Sequence, residues 1–171
     1  GAVAEAPVAP DLAWLNLPFY DRLAPDALEG IEAVLDVLGP RVTRMSAAAT
    51  LANLVGIQAR IHEYEICKHQ AETFDGHFDD LSADLQPIVS RGRQISLAEY
   101  EDALVVKTSA QAFFEDFFTD FDAIVAPASA LAAPTFGTAT GVPISSMLRT
   151  FACLPCITLT PSVAENNLTI G

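Results

Sequence analysis

The stretch from Phe113 to Pro134, FFEDFFTDFDAIVAPASALAAP, contains the end of a long helix and the start of a buried strand. The helical pattern stops at residues 120–122, DFD, where short acidic side chains favour a turn. Residues 123–126, AIVA, then form a short apolar strand pattern that ends at Pro127. An open α/β sheet usually binds its ligand where a buried strand ends in such a small-residue loop. The stretch therefore predicts the edge of a ligand pocket.

The helix that precedes this strand has a clear predicted start and a clear buried face. Ser96 and Glu99 have the spacing of a capping box, which marks a helix N-terminus. Beyond it, apolar residues recur at steps of three and four, which is typical of one buried helix face and favours core over a cofactor site. These residues are Tyr100, Ala103, Ala110, Phe114, Phe117 and Phe121.

The remaining sequence predicts helices alternating with strands after an irregular N-terminal segment, residues 1–11. A strand at Leu12–Leu15 is followed by a helix from Pro25, a Gly39-Pro40 stop and a second strand at Val42–Met45, which is an α/β step. We therefore expect an α/β fold over residues 12–171. The other predicted elements are a helix over 47–74 capped by Ser46, a turn at Asp75-Gly76, a helix near 84–90, a helix over 143–152, and strands at 156–159 and 168–170.

The composition limits the classes of partner. The chain has 171 residues and a formal net charge of −13, so its surface repels nucleic acid and anionic membranes. No stretch reaches the roughly 20 apolar residues of a membrane-spanning helix. Three cysteines are too few for a disulfide scaffold and fit a reducing compartment, so we expect a cytoplasmic protein.

Two groups of residues could in principle bind a metal or react through a thiol. His62, Glu65 and His69 share one helix face, but HExxH spacing is absent, so we expect a solvated face and no metal or other cofactor. Cys153 and Cys156 form a CxxC pair that precedes a strand pattern, whereas a thioredoxin-like pair opens a helix. We therefore expect two cysteines packed in a core strand.

The serine pair Ser145-Ser146 lacks the surroundings of a nucleophile. A nucleophilic serine needs a base and a backbone oxyanion hole, usually on a glycine-rich turn. No two glycines are adjacent in this chain, and neither S-x-x-K nor G-x-S-x-G occurs. We expect no catalytic residue within these 171 residues.

Several motifs, in this order and spacing, resemble the C-terminal half of an amidase signature family enzyme. They are Arg91-Gly92 before the Ser96 cap, the aromatic and alanine at Tyr100 and Ala103, FDAIVAP at residues 121–127, and TFACLPCITLT at residues 150–160. The segment 25–42 also resembles the family's helix and glycine turn after its catalytic region. The likeness runs from about Leu12 to Gly171.

The chain departs from the family pattern at four places. Cys153 stands where the family commonly has Gly, and Thr160 where Pro is common. Residues 168–171 resemble the start of a late family strand but stop before its Gln. The family's Gly/Ser-rich signature and its Ser–cis-Ser–Lys triad have no counterpart here, so the resemblance implies a piece that is incomplete at both ends and inactive alone.

The resemblance implies a role in hydrolysis of amide C–N bonds through an acyl-enzyme. This piece would complete a mixed sheet and line the acyl pocket with Pro127, Ala128, Ser129 and Phe151. Its partners would be a small-molecule amide and the upstream catalytic half, in the same or another chain. A non-catalytic amidase-like interaction subunit, the amidase subunit of a tRNA-dependent amidotransferase, and a homodimer remain open alternatives.

Overall fold

The computed structural model of the chain contains helices and strands in alternation, which confirms the α/β class. It describes residues 8–46, 51–129, 149–158, 162–163 and 169–170. The helices are α1 Pro25–Leu38, α2 Leu54–His69, α3 Ala71–His77, α4 Leu85–Gly92 and α5 Leu97–Phe117. The strands are β1 Leu12–Asn16, β2 Val42–Ser46, β3 Ala123–Val125, β4 Ser162–Val163 and β5 Thr169–Ile170. No helix in the described part of the chain is long and apolar enough to cross a membrane.

Strand β1 lies at the centre of a parallel three-stranded sheet of order β2-β1-β3. Leu12 is in register with Val42 on one side and with Ala123 on the other. The chain moves from β1 to β2 in one direction and later places β3 on the opposite side of β1. The strand order therefore reverses between β1 and β3. Strands β4 and β5 form a separate antiparallel pair.

Both faces of β1 are covered, which explains its unbroken apolar sequence. Ala13, Trp14 and Leu15 are all buried, as expected for a central strand of a parallel sheet. At the amino end of the sheet, the backbone N–H of Asp122 donates to the Asp11 carbonyl, and the Asp11 N–H donates to the Asp122 carboxylate, both at 2.8 Å. These bonds hold the start of β1 beside the start of β3.

The predicted βαβ step is confirmed. Pro25 occupies the first turn of α1, where its missing N–H leaves no bond unmade, and Ile31 and Leu35 bury one face. The helix ends at Gly39, whose backbone has φ +57° and ψ −129°, a region that side chains exclude. Its N–H still donates to the Leu35 carbonyl, and the chain then enters β2.

The predicted capping box of α5 is also confirmed. The Ser96 Oγ accepts from the Glu99 N–H at 3.3 Å, and the Glu99 carboxylate accepts from the Ser96 N–H at 2.9 Å. These hydrogen bonds lower the pKa of Glu99. The predicted stripe faces inward: Ala103, Ala110, Phe114 and Phe117 are buried, and Tyr100 and Phe121 are half-buried against them.

The predicted helix over residues 47–74, with Ser46 as its cap, is wrong in its bounds. Ser46 is the last residue of β2, and α2 begins at Leu54. Gln70 then leaves helical geometry at φ −111° and ψ 21° and separates α2 from α3. The predicted Asp75-Gly76 turn is wrong as well, since α3 continues through it. Burial of Phe74 stabilises this turn of helix against the weak helix propensity of glycine.

The predicted strand at residues 156–159 is not seen in its described part. Residues 156–158 are irregular and exposed, Ile157 by 89%, and Leu159 lies outside the described residues. Cys153 and Cys156 are exposed and free, so the prediction of two core-packed cysteines is wrong. An apolar run forms a buried strand only where a neighbouring strand pairs with it. The late strand is found at Thr169–Ile170, paired with Ser162–Val163.

Candidate functional site

The candidate site lies at the carboxyl edge of the parallel sheet, between β1 and β3. Trp14 is the last residue of β1 in register with β3, opposite Val125. Beyond this pair, Asn16 ends β1 in register with Ser46 of β2, and Pro127 lies two residues after Val125, the last residue of β3. In open α/β sheets, ligands bind beyond the carboxyl ends of the strands where the strand order reverses, so a crevice is expected at this edge. A ligand pocket at this edge, expected from residues 113–134, stays a prediction.

The three predicted pocket residues of the loop after β3 are described at this edge. Pro127 is buried, whereas Ala128 and Ser129 are half-buried. The buried proline fixes the backbone where the strand ends, because its ring restricts φ and provides no N–H for further pairing. Ala128 and Ser129 are small enough to leave room beside the backbone. Their role as walls of a binding pocket stays a prediction.

Phe151, the fourth predicted pocket residue, lies in the apolar core. It belongs to a helical segment whose described part is residues 149–152, and it is completely buried. The same core includes Leu15 of β1 and Phe114 of α5. The structure thus places the loop residues at the sheet edge and Phe151 inside the apolar layer that supports the sheet. A role for Phe151 in contact with substrate also stays a prediction.

Tyr20, which the sequence analysis did not single out, lies close to the carboxyl end of β1. Its ring stacks on Trp14 with centroids 5.0 Å apart, and burial raises the pKa of its phenol. Asn16, which is exposed, and Leu17, which is buried, connect the strand to this stack. The available signal was the spacing of two aromatics around a strand end, which is too common to identify a site. The stack fixes the direction in which the chain leaves β1.

The helical layer behind the sheet explains the Arg91-Gly92 motif. A Cβ on Gly92 would lie 2.9 Å from the carbonyl carbon of Glu63 and closer still to its oxygen and to the Cys67 sulfur. Only glycine therefore lets α4 approach α2 this closely. Arg91 pairs with the largely buried Glu63 carboxylate, with its Nε 3.0 Å from Oε1. The two residues together fix the α2–α4 contact.

The helix face with His62, Glu65 and His69, which was considered for a metal and expected to be solvated, carries other interactions. Glu65 accepts a hydrogen bond from the Tyr100 hydroxyl at 2.9 Å, which raises the pKa of Tyr100. His62 and His69 are exposed. Among the described residues, no group of three or more His, Cys, Asp or Glu side chains is arranged to hold a metal ion. Ser145 and Ser146 lie outside the described residues.

Comparison with solved structures shows the fold. Eleven solved chains match this one in structure. One of them is a crystal structure of an amidase, which superposes with a TM-score of 0.72 and 17% sequence identity over 95% of this chain. The aligned region is 41% of that chain, so the present chain spans less than half of its length. No family model and no curated protein matches the sequence. The chain therefore has an amidase-like α/β fold.

Proposed function

We propose that this chain is part of an amidase-like hydrolase that cleaves amide C–N bonds, and that it completes the sheet and lines the acyl pocket. The observation that carries the proposal is the fold likeness to an amidase over 95% of the chain, at 41% of that enzyme's length. The motif order in the sequence supports it independently. The remainder of the catalytic unit would be an upstream half in the same or another chain.

In this proposal the bond-breaking groups belong to the upstream half. A Lys would take a proton from a bridging Ser, and the bridging Ser would take the proton of a nucleophilic Ser. That Ser attacks the amide carbon, and backbone N–H groups stabilise the oxyanion. The relayed proton returns through the bridging Ser to the leaving nitrogen as the C–N bond breaks, and water then hydrolyses the acyl-enzyme to the free acid. The present chain would contribute the rigid edge at Pro127, Ala128 and Ser129, which limits where the acyl group lies. Positioning of this kind contributes to the rate without transferring a proton.

The acyl-pocket role predicts a change in substrate preference when the loop after β3 is enlarged. We expect Ala128→Trp in the complete protein to lower kcat/KM for amides of long acyl chains about tenfold or more. Amides of short acyl chains should lose much less, because the indole ring occupies the space of several methylene groups. Ala98→Trp is the matched control, since Ala98 is exposed on the first turn of α5. Release of free acid or ammonia from amides of graded acyl length provides the measurement.

A fluorophosphonate probe separates the amidase proposal from a non-catalytic subunit. We expect it to label the complete protein at an upstream serine and to leave Ser145 and Ser146 unlabelled. Labelling at either of these two would contradict the proposal that this part has no nucleophile. Absence of labelling and of hydrolysis across the amide series would favour the interaction subunit. The formal charge of −13 counts against direct tRNA binding and so against the amidotransferase alternative.

A further inference from the structure

We propose that Cys153 and Cys156 are a thiol-oxidation site, which forms a reversible disulfide when the protein meets a peroxide. Both thiols are free and exposed, and only two residues separate them. This is the spacing of reversible dithiol pairs. In a reducing compartment, disulfides between exposed cysteines are typically transient and redox-sensing. Oxidation of these thiols requires no amide hydrolysis and therefore does not depend on the proposed function.

The backbone holds Cys153 at a turn that ends the helical segment whose described part is residues 149–152. The Leu154 N–H donates to the Arg149 carbonyl at 2.8 Å, and the Cys153 N–H donates to the Thr150 carbonyl at 3.4 Å. This pair of bonds is a Schellman motif, and Cys153 has the left-handed φ of +59° that the motif requires. The chain therefore turns away from the helix axis between the two thiols.

The two sulfurs have different neighbours, and the difference assigns their roles. The Arg149 guanidinium donates to the Cys156 Sγ, so a cation lies beside this sulfur when it carries negative charge during attack. The Cys153 S–H instead donates to the Thr150 carbonyl, with the sulfur 3.9 Å from the oxygen. Cys156 is accordingly the thiol that reacts with peroxide, and Cys153 is the thiol that resolves it.

The chemistry balances with hydrogen peroxide as the oxidant. The Cys156 sulfur attacks a peroxide oxygen; the S–O bond forms, the O–O bond breaks, the sulfur loses two electrons, and one water leaves. The Cys153 sulfur then attacks the resulting sulfenic sulfur; the S–S bond forms, the S–O bond breaks, and a second water leaves. The two thiol hydrogens and the two peroxide hydrogens end in these two waters. A dithiol reductant reverses the product by exchange.

Cys67 provides an internal comparison within the same chain. Its thiol donates to the Val89 carbonyl at 3.5 Å in the α2–α4 contact, and burial raises its pKa, an effect that Arg93 partly offsets. It is therefore expected to react slowly with both peroxide and maleimide while the protein is folded. Differences in reagent stability or concentration affect all three cysteines, so the contrast with Cys67 isolates the local environment.

The test uses the complete protein, fully reduced and then treated with hydrogen peroxide before N-ethylmaleimide labelling and peptide mapping. We expect two fewer labels, a Cys153–Cys156 linked peptide lighter by about 2 Da, and recovery with dithiothreitol. Cys67 should label more slowly than Cys153 and Cys156 in the folded protein and at a similar rate to them after denaturation. The proposal is overturned if the reduced, folded protein labels at neither Cys153 nor Cys156, or if peroxide yields sulfinic acid or linked dimers in place of the internal disulfide.

Variants test the assigned roles. Cys153→Ser should leave a Cys156 sulfenic acid that dimedone traps, and Cys156→Ser should abolish peroxide consumption at this site. Cys67→Ser is the control and should form the Cys153–Cys156 disulfide at the wild-type rate. Arg149→Gln should slow oxidation of Cys156 about three- to tenfold. Arg41→Gln removes an equal charge from an exposed turn and should not. Equal rates in the two arginine variants would contradict the role of Arg149.

Discussion

Replacement of Gly92 by alanine is expected to destabilise the protein, although alanine is the better helix former. The added Cβ would lie well inside contact distance of the Glu63 carbonyl and of the Cys67 sulfur. The sulfur belongs to a side chain that can rotate, but the carbonyl belongs to the backbone of α2. The two helices must therefore separate by roughly 1 Å in a layer packed to crystal-like density.

The net effect follows from two opposed contributions. Overpacking of this kind costs about 1–3 kcal/mol, and the upper end applies because backbone must move. The gain in helix propensity from Gly to Ala is about 1 kcal/mol. The net loss is therefore about 2 kcal/mol, or a decrease of about 4–8 °C in Tm for a domain of this size. Urea denaturation followed by circular dichroism gives the free energy directly.

The chain contains a matched control for the same substitution. Gly56 lies in α2, and a Cβ there would meet no atom within 4 Å. Gly56→Ala should therefore stabilise the protein by up to about 1 kcal/mol through helix propensity alone. The opposite signs of the two variants are the decisive observation. A Gly92→Ala protein that is as stable as Gly56→Ala would refute the close α2–α4 approach.

The remaining predictions concern two helix ends. Cys153→Gly should raise the free energy of unfolding by about 0.5–1 kcal/mol, because the left-handed φ of +59° strains any residue that has a Cβ but does not strain glycine. Cys153→Ala keeps the Cβ and should give no gain in the same urea titration. Ser96→Ala should lower the free energy of unfolding by about 1 kcal/mol at pH 7 through loss of the cap. The pKa of Glu99 is lowered first by the Ser96 N–H, which the variant keeps, and then by the Ser96 hydroxyl, which the variant loses. The part of the difference that comes from the hydroxyl bond is therefore present above the ordinary pKa of 4.5 and is lost as the pH falls through the folded-state pKa. A difference that grows on acidification would contradict this assignment.

The elements that could be predicted are those in which a local sequence signal agrees with the packing of the folded chain. The Pro25 start and Gly39 stop of α1 and the Ser96 cap of α5 require particular backbone geometries that few residues satisfy, so they can be read from the sequence alone. The central strand β1 was readable because it is covered on both faces. Strand β3 was predicted as a buried strand, but its three residues are half-buried because β3 is an outer strand of the described sheet. A ligand site in the loop after β3 stays a prediction.

The wrong predictions have a common physical cause. Asp75-Gly76 has turn propensity, but one buried side chain, Phe74, keeps the segment helical. Residues 156–158 have strand propensity but no neighbouring strand within the described part of the chain, and so Ile157 is exposed. In both cases a weak local preference is outweighed by the presence or absence of a packing partner, which one sequence does not reveal.

The arrangement of the sheet distinguishes substitutions that should change ligand selectivity from those that should change the stability of the fold. At the amino end, Asp122 is bonded to the backbone of Asp11, and the ring of Phe121 stacks on Phe117 with centroids 4.8 Å apart. These contacts fix where β3 enters the sheet and thus where it leaves three residues later. The exit at Pro127 is therefore set by groups at the far end of the strand. Asp122→Ala should reduce stability and displace the loop together, whereas Ala128→Trp should change acyl selectivity with little loss of stability, because only the latter leaves the entry of β3 intact.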